Sequence, residues 1–220
     1  MIYTNIPYSQ SCDKKELGVA YNDFMKILPS ENDWACFIDH DAMFTTDRWY
    51  DQLNRIITAH PNIGAFGCRT NRIGYAWQMI ENLDIDNNDI KYHRDVGEHL
   101  MKNHFLQISP GSQKDTRGVY NPSRFGGVLI LVKKRTWMDI GGFKESGFLG
   151  IDDDFRSRLH KNSIQFAIMD GVYVYHWYRY NSPYKTSEKT LSKLRKKYKH
   201  LNCIQKIKNL NNLKIIKTNY

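Results

Sequence analysis

The chain has 220 residues, above the usual size of one domain without demanding two, with 41% hydrophobic and 13% aromatic residues, enough to bury a core. Its mean hydropathy is −0.62 and no apolar run approaches the ~18 residues of a membrane span, which excludes an integral membrane protein of the helical type. The net charge of +9 is unevenly held: residues 181–220 carry eleven Lys/Arg and one acid, Glu188, so the first 180 residues are close to neutral. A nucleic-acid binder would spread its bases over the folded body, so no nucleic acid is expected as a partner. The N-terminus has neither a basic start nor a long apolar stretch, and the expectation is a cytoplasmic protein. Cys12, Cys36, Cys68 and Cys203 form no C-x-x-C pair and read as free thiols.

In chain order, Ile2 to Ile6 predicts a first strand, stopped by Pro7. Leu17, Ala20, Tyr21, Phe24, Ile27 and Leu28 follow helical spacing, ending before Pro29. Trp34 to Ile38 is continuously apolar, as expected of a strand buried on both faces, and runs into Asp39-His40-Asp41. Trp49, Leu53, Ile56 and Ile57 predict a second amphipathic helix, and Ile63 to Cys68 the next strand. This alternation predicts an α/β fold with a mostly parallel sheet flanked by helices and a ligand site at the strands' carboxyl ends. Tyr75 to Asn82 and Val96 to His104 are expected as helices, and Ser109 to Ser123, rich in Gly, Ser, Pro and Asn, as a mobile loop. Phe125 to Val132 predicts a strand, Arg135 to Ile140 a short helix and Asp152 to Lys161 another. Ile164 to Met169 and Val172 to His176 read as two strands separated by the turn dipeptide Asp170-Gly171. The resulting division is a body, 1–180, and a basic, partly helical tail, 181–220, with an apolar stripe at Leu191, Leu194, Tyr198 and Leu201. A lysine-rich stretch is commonly a solvated face; the functional alternative is peripheral docking to an anionic membrane.

Three clusters carry candidate chemistry. On an extended segment Asp39 and Asp41 project to one side, the geometry of a divalent-cation site that anchors a diphosphate. The tripeptide alone is weak, because seventeen aspartates in this length give roughly one D-x-D by chance and the chain has three; its place after a buried strand raises it above a solvated turn. Asp152-Asp153-Asp154 crowds three carboxylates, which raises a pKa and suits one of them to accept a proton. The other reading is a helix cap, and the expectation combines them, with Asp154 as cap and Asp152 or Asp153 as base. His176, at a strand's end, completes a carboxylate and histidine set suited to manganese if that end lies near Asp39 and Asp41.

In this order the clusters resemble GT-A-fold glycosyltransferases, most closely the inverting family 2 type, over about residues 1–180. Leu17-Gly18-Val19-Ala20-Tyr21-Asn22, then Trp34 to Asp41, looks like that family's helix with its Asn and the strand ending in the D-x-D metal motif. Gly126 to Leu159 is similar to its strand, helix, "GGF" and acidic helix start. The resemblance implies Asp152 as catalytic base, with Asp153 a rival because Ile151 stands where the family has Glu, and His176 as a further metal contact. It implies Mn2+ or Mg2+ as cofactor, a nucleotide-diphosphate sugar, UDP-sugar favoured, as donor, and a glycan, lipid-linked or protein acceptor. The nucleotide pocket would draw on Pro7, Tyr8, Gly18, Asn22 and Asp39. The N-terminal nucleotide-binding half is abbreviated, since Tyr8 to Lys15 runs almost directly into the helix. Two other readings are a phosphatase of the haloacid dehalogenase type, against which Met43 speaks, and a sugar- or surface-binding module without catalysis.

Overall fold

A computed structural model describes residues 1–7, 16–114, 120–122, 126–177 and 210–215. Seven strands form the main sheet: β1 (Ile2–Asn5), β2 (Trp34–Ile38), β3 (Ala42–Phe44), β4 (Ile63–Thr70), β6 (Ile108–Pro110), β9 (Leu129–Lys133) and β10 (Gln165–His176), in the order β1-β2-β9-β4-β10-β3, with β6 also on β10. The sheet is mixed. β1 pairs with β2 and β4 with β10 in parallel, whereas β9 lies antiparallel between β2 and β4, and β3 and β6 run antiparallel to β10.

Alternation within the central strands explains why both faces are covered. Cys36, Ile38, Leu129 and Leu131 point to one core with Leu53 and Ile56 of α2 (Trp49–Ala59). Ala35, Phe37, Ile130 and Val132 point to the other, against Tyr21 and Met25 of α1 (Leu17–Ile27) and Phe155 and Leu159 of α5 (Ile151–Lys161). A third cluster joins Val96 and Leu100 of α3 (Ile90–His104) to Tyr173, Ile80 and Leu213.

Several elements differ from expectation. The two strands expected at Ile164 to Met169 and Val172 to His176 are the single strand β10 rather than a hairpin. Its pairing with β4 jumps from Met169–Cys68 to Tyr173–Arg69, so Asp170 and Gly171 lie in a bulge. Asp170 is buried against Arg69, which bonds it through Nε at 3.0 Å and through Nη2, and the Ser109 hydroxyl adds bonds of 2.9 and 3.0 Å. A Cβ on Gly171 would lie 2.5 Å from the His104 carbonyl oxygen, so glycine serves close packing here. The helix expected at Tyr75 to Asn82 is a single 3-10 turn, Ala76–Gln78, followed by β5 (Ile80–Glu81). Within Ser109 to Ser123, β6 joins the sheet while β7 (Ser112–Lys114) and β8 (Tyr120–Pro122) pair as a small antiparallel ribbon. The strand expected from Phe125 begins at Leu129 and leads into α4 (Lys134–Asp139).

Most of the basic tail, including its apolar stripe, lies outside the described residues. Its 210–215 segment returns to the body: β11 (Lys214–Ile215) pairs antiparallel with β5, and Leu213 is 7% exposed in the third core cluster. Among the described residues, no helix is long and apolar enough to cross a membrane.

Candidate metal and catalytic site

The β2 strand ends in a tight turn, not an extended segment: the Ala42 amide donates to the Asp39 carbonyl at 3.1 Å and the chain reverses into β3. Because β3 pairs with the end of β10, Ala42 stands opposite His176, and the Trp177 amide donates to the Asp41 carbonyl at 2.8 Å. The two carboxylates thereby meet the imidazole. His176 Nε2 lies 3.2 Å from Asp41 Oδ1 and 3.8 Å from Asp39 Oδ2, and one donor atom from each residue falls within 4.8 Å of the others. Donors around a six-coordinate ion with bonds of about 2.1 Å lie about 3 Å apart when adjacent and about 4.2 Å when opposite, so this spread fits a divalent cation after small adjustment. A set of two carboxylates and an imidazole is within the range of Mn2+, with Mg2+ favouring the oxygens alone.

The ring's orientation is fixed. His176 Nδ1 lies 2.8 Å from the Arg72 carbonyl oxygen, which only accepts, so Nδ1 carries a proton and Nε2 is turned toward the carboxylates. Burial pushes Asp39 up to about 6, with the Asp41 and Asp152 charges adding to the rise and His176 and His40 opposing it. Burial acts on Asp41 in the same sense, but the hydrogen bond and charge of His176, together with His40, outweigh it and hold Asp41 below the usual carboxylate range. A cation would relieve the strain of two adjacent carboxylates in partial burial.

Asp152 reaches this site through the backbone ahead of β9. The Asp39 amide donates to the Val128 carbonyl at 3.1 Å, and the neighbouring Gly127 amide donates to Asp152 Oδ2 at 3.3 Å. Asp152 Oδ1 accepts from the Asp153 amide at 3.0 Å. Burial, with the charge of Asp153, raises the Asp152 pKa against these backbone bonds. Asp153 is engaged elsewhere, accepting from the Tyr75 hydroxyl at 3.2 Å and facing Arg156 Nε at 3.8 Å. Asp154 is not the cap: Gly150, at φ 79°, holds the N-cap position, and Asp154 pairs with Arg158 at 2.7 Å.

Asp39, Asp41, His176, Asp152 and Asp153 all border one cavity of about 520 Å3, whose apolar wall includes Tyr21, Ile73, Phe148 and Leu149. That volume lies within the range of small-ligand sites. Two residues expected at the nucleotide do other work. A Cβ on Gly18 would lie 1.8 Å from the Lys144 carbonyl oxygen, so α1 lies directly on the segment after "GGF". Asn22 is buried and uses its whole amide: Oδ1 accepts from the Phe143 amide and Trp137 Nε1, both at 2.8 Å, while Nδ2 donates to the Phe143 carbonyl and Glu145, both at 3.0 Å. Neither residue borders the cavity, nor does Pro7; Tyr8 lies outside the described residues.

Sequence reading passed over the residues that brace the site. Gln78, wholly buried, accepts from the Gly126 amide at 2.7 Å and donates to its carbonyl at 3.2 Å. Asn71 does the same to His176, at 2.7 and 3.1 Å. Isolated Asn and Gln after a strand read as loop polarity; the signal lay only in their position between apolar runs. No protein-family model and no curated protein matches the chain.

Proposed function

We propose that this chain is a metal-dependent glycosyltransferase that moves a sugar from a nucleotide-diphosphate donor, UDP-sugar favoured, to an acceptor hydroxyl with inversion. The supporting observation is that Asp39, Asp41, His176 and Asp152 border one cavity, with the Asp39 amide bonded to the Val128 carbonyl and the neighbouring Gly127 amide to the Asp152 carboxylate. Asp39, Asp41 and His176 would hold Mn2+ or Mg2+, which offsets the charge that accumulates on the leaving diphosphate. Asp152 takes the acceptor proton as the new C–O bond forms at the anomeric carbon, and the diphosphate departs from the opposite face with the electron pair of the broken bond. Asp152 suits the role better than Asp153, because its raised pKa favours proton uptake and its rival is tied to Tyr75 and Arg156. The acceptor is a glycan, lipid-linked or protein hydroxyl.

The test is release of nucleoside diphosphate from a panel of nucleotide sugars, with acceptors, in the presence and absence of Mn2+. Turnover is expected to require the metal, and Asp152→Asn to slow it by about 10²–10⁴-fold while sparing donor binding. Unchanged turnover in Asp152→Asn with loss in Asp153→Asn would move the base to Asp153. A covalent phosphoryl group on Asp39 would replace this reading with a phosphatase.

A further inference from the structure

The two residues that follow β4 bond both the backbone and the ring of His176. Asn71 Oδ1 accepts from the His176 amide at 2.7 Å, and its Nδ2 donates to the His176 carbonyl at 3.1 Å. One side chain thus takes the place of a strand partner where the β4–β10 ladder has ended at Thr70 and Val174. The next residue takes the ring, since the Arg72 carbonyl accepts from Nδ1 at 2.8 Å. The Arg72 guanidinium then anchors this corner: Nε donates to the Ile85 carbonyl at 2.6 Å, Nη1 to the Trp177 carbonyl at 3.0 Å and Nη2 to Asn88 at 3.0 Å. Asn71 and Arg72 are 0% and 1% exposed.

Burying an amide and a guanidinium is costly unless each bond is made; here the Asn71 amide spends both its bonds on the His176 backbone, and the Arg72 guanidinium ties the Trp177 carbonyl to Ile85 and Asn88. A structural histidine needs a partner for its ring; it does not need its amide, carbonyl and ring nitrogen all gripped by two consecutive residues of another segment. We propose that Asn71 and Arg72 are positioning residues for a metal ligand: they hold the His176 backbone and present Nε2, with Nδ1 protonated, to a divalent cation shared with Asp39 and Asp41. This rests on reading Asp39, Asp41 and His176 as a cation site.

The two ideas separate in one set of measurements on the full chain with Mn2+ alone. Electron spin-echo spectra of the wild type read whether an imidazole nitrogen is bound to the ion, and a titration reads affinity. In the wild type a nitrogen coupling is expected, lost in His176→Ala. Its absence from the wild type would overturn the cation site itself. In Asn71→Ala the affinity is expected to fall about 10–100-fold, with the nitrogen coupling weakened or split. Asn71→Asp preserves size and the acceptor but loses the donor to the His176 carbonyl, and a fall of several-fold is expected. Thr70→Val, a neighbouring buried change whose hydroxyl lies 3.4 Å from Asn71 Oδ1, is expected to bind Mn2+ as the wild type does. Wild-type affinity and coupling in a folded Asn71 variant would overturn the positioning role and leave the cation site standing. Should neither Asn71 variant fold, the wild type loaded with Zn2+ still decides it: nitrogen NMR must find the His176 proton on Nδ1, and a proton on Nε2 with Nδ1 bound to metal would refute the proposal.

Discussion

Three carboxamides, Asn22, Asn71 and Gln78, each bond both the amide and the carbonyl of one distant residue, Phe143, His176 and Gly126. They stitch the site's edges together without adding charge, so the charged groups are left to the cavity. Asp39 is the group most exposed to the consequences, because its folded pKa of about 6 exceeds its unfolded value of about 3.9. An acid raised on folding binds more protons folded than unfolded between those values, so its contribution to stability is present at low pH and is lost as pH rises from about 4 to 6. Without metal, the wild type is therefore expected to lose thermal stability across that window relative to Asp39→Asn. With excess Mn2+ the sign reverses for the wild type, whose midpoint should rise with pH through 6 while the variant's does not. Parallel pH profiles for the two proteins, with and without metal, would show that Asp39 does not face this environment.

Among the elements, legibility followed burial. All five residues of Trp34–Ile38 are apolar and buried, and the strand was readable to the residue. The β-α-β-α-β rhythm located helices α1 and α2 for the same reason. Strand direction was not readable, since period and composition are the same for a strand run either way, and β9 enters antiparallel between two strands that the alternation alone would make neighbours. The Asp170-Gly171 pair misled because its two signals, a carboxylate and a glycine, are those of an exposed turn. Here the acid is neutralised by Arg69, 101 residues earlier in the chain, and only tertiary packing reveals the partner. The distinction is measurable. Asp170→Ala leaves Arg69 buried without its counter-charge and is expected to cost about 3–5 kcal/mol, read as a lower urea midpoint with unchanged slope. A hairpin-turn aspartate would cost under about 0.5 kcal/mol. The D-x-D residues were found from the strand before them, but the turn that converges them with His176 depends on β3 and its pairing with β10, a three-residue element too short to give a period.

At the scale of the whole molecule, the body and the tail are not independent. Leu213 and Ile215 pack with Ile80, Leu83, Val96 and Leu100, and Asn82 donates to the Asn212 carbonyl at 3.1 Å, so the 210–215 segment completes a core cluster next to Tyr173 of β10. Leu213→Asp is therefore expected to destabilise the folded chain by about 2–4 kcal/mol. A midpoint within about 0.5 kcal/mol of the wild type would make 210–215 an adornment. This also decides how membrane docking is tested, because deleting the tail removes the clasp along with the charge. Changing Lys193, Lys196, Lys197 and Lys199 to Gln retains Leu213. Each lysine near an anionic surface contributes up to about 1 kcal/mol, so a surface-bound tail should lose more than tenfold in affinity for phosphatidylserine vesicles. Equal binding would return the lysines to a solvated face.

In the proposed reaction cation and donor share one pocket, and calorimetric titration of UDP-sugars into the wild type and Asp41→Ala, each with and without Mn2+, addresses that directly. The wild type should bind at least one of them when Mn2+ is present and lose most of the affinity when it is withheld, and Asp41→Ala should behave with metal as the wild type does without it. Binding of equal strength in all four samples would contradict the site, as would heat-silent titrations of every nucleotide sugar into metal-loaded wild type.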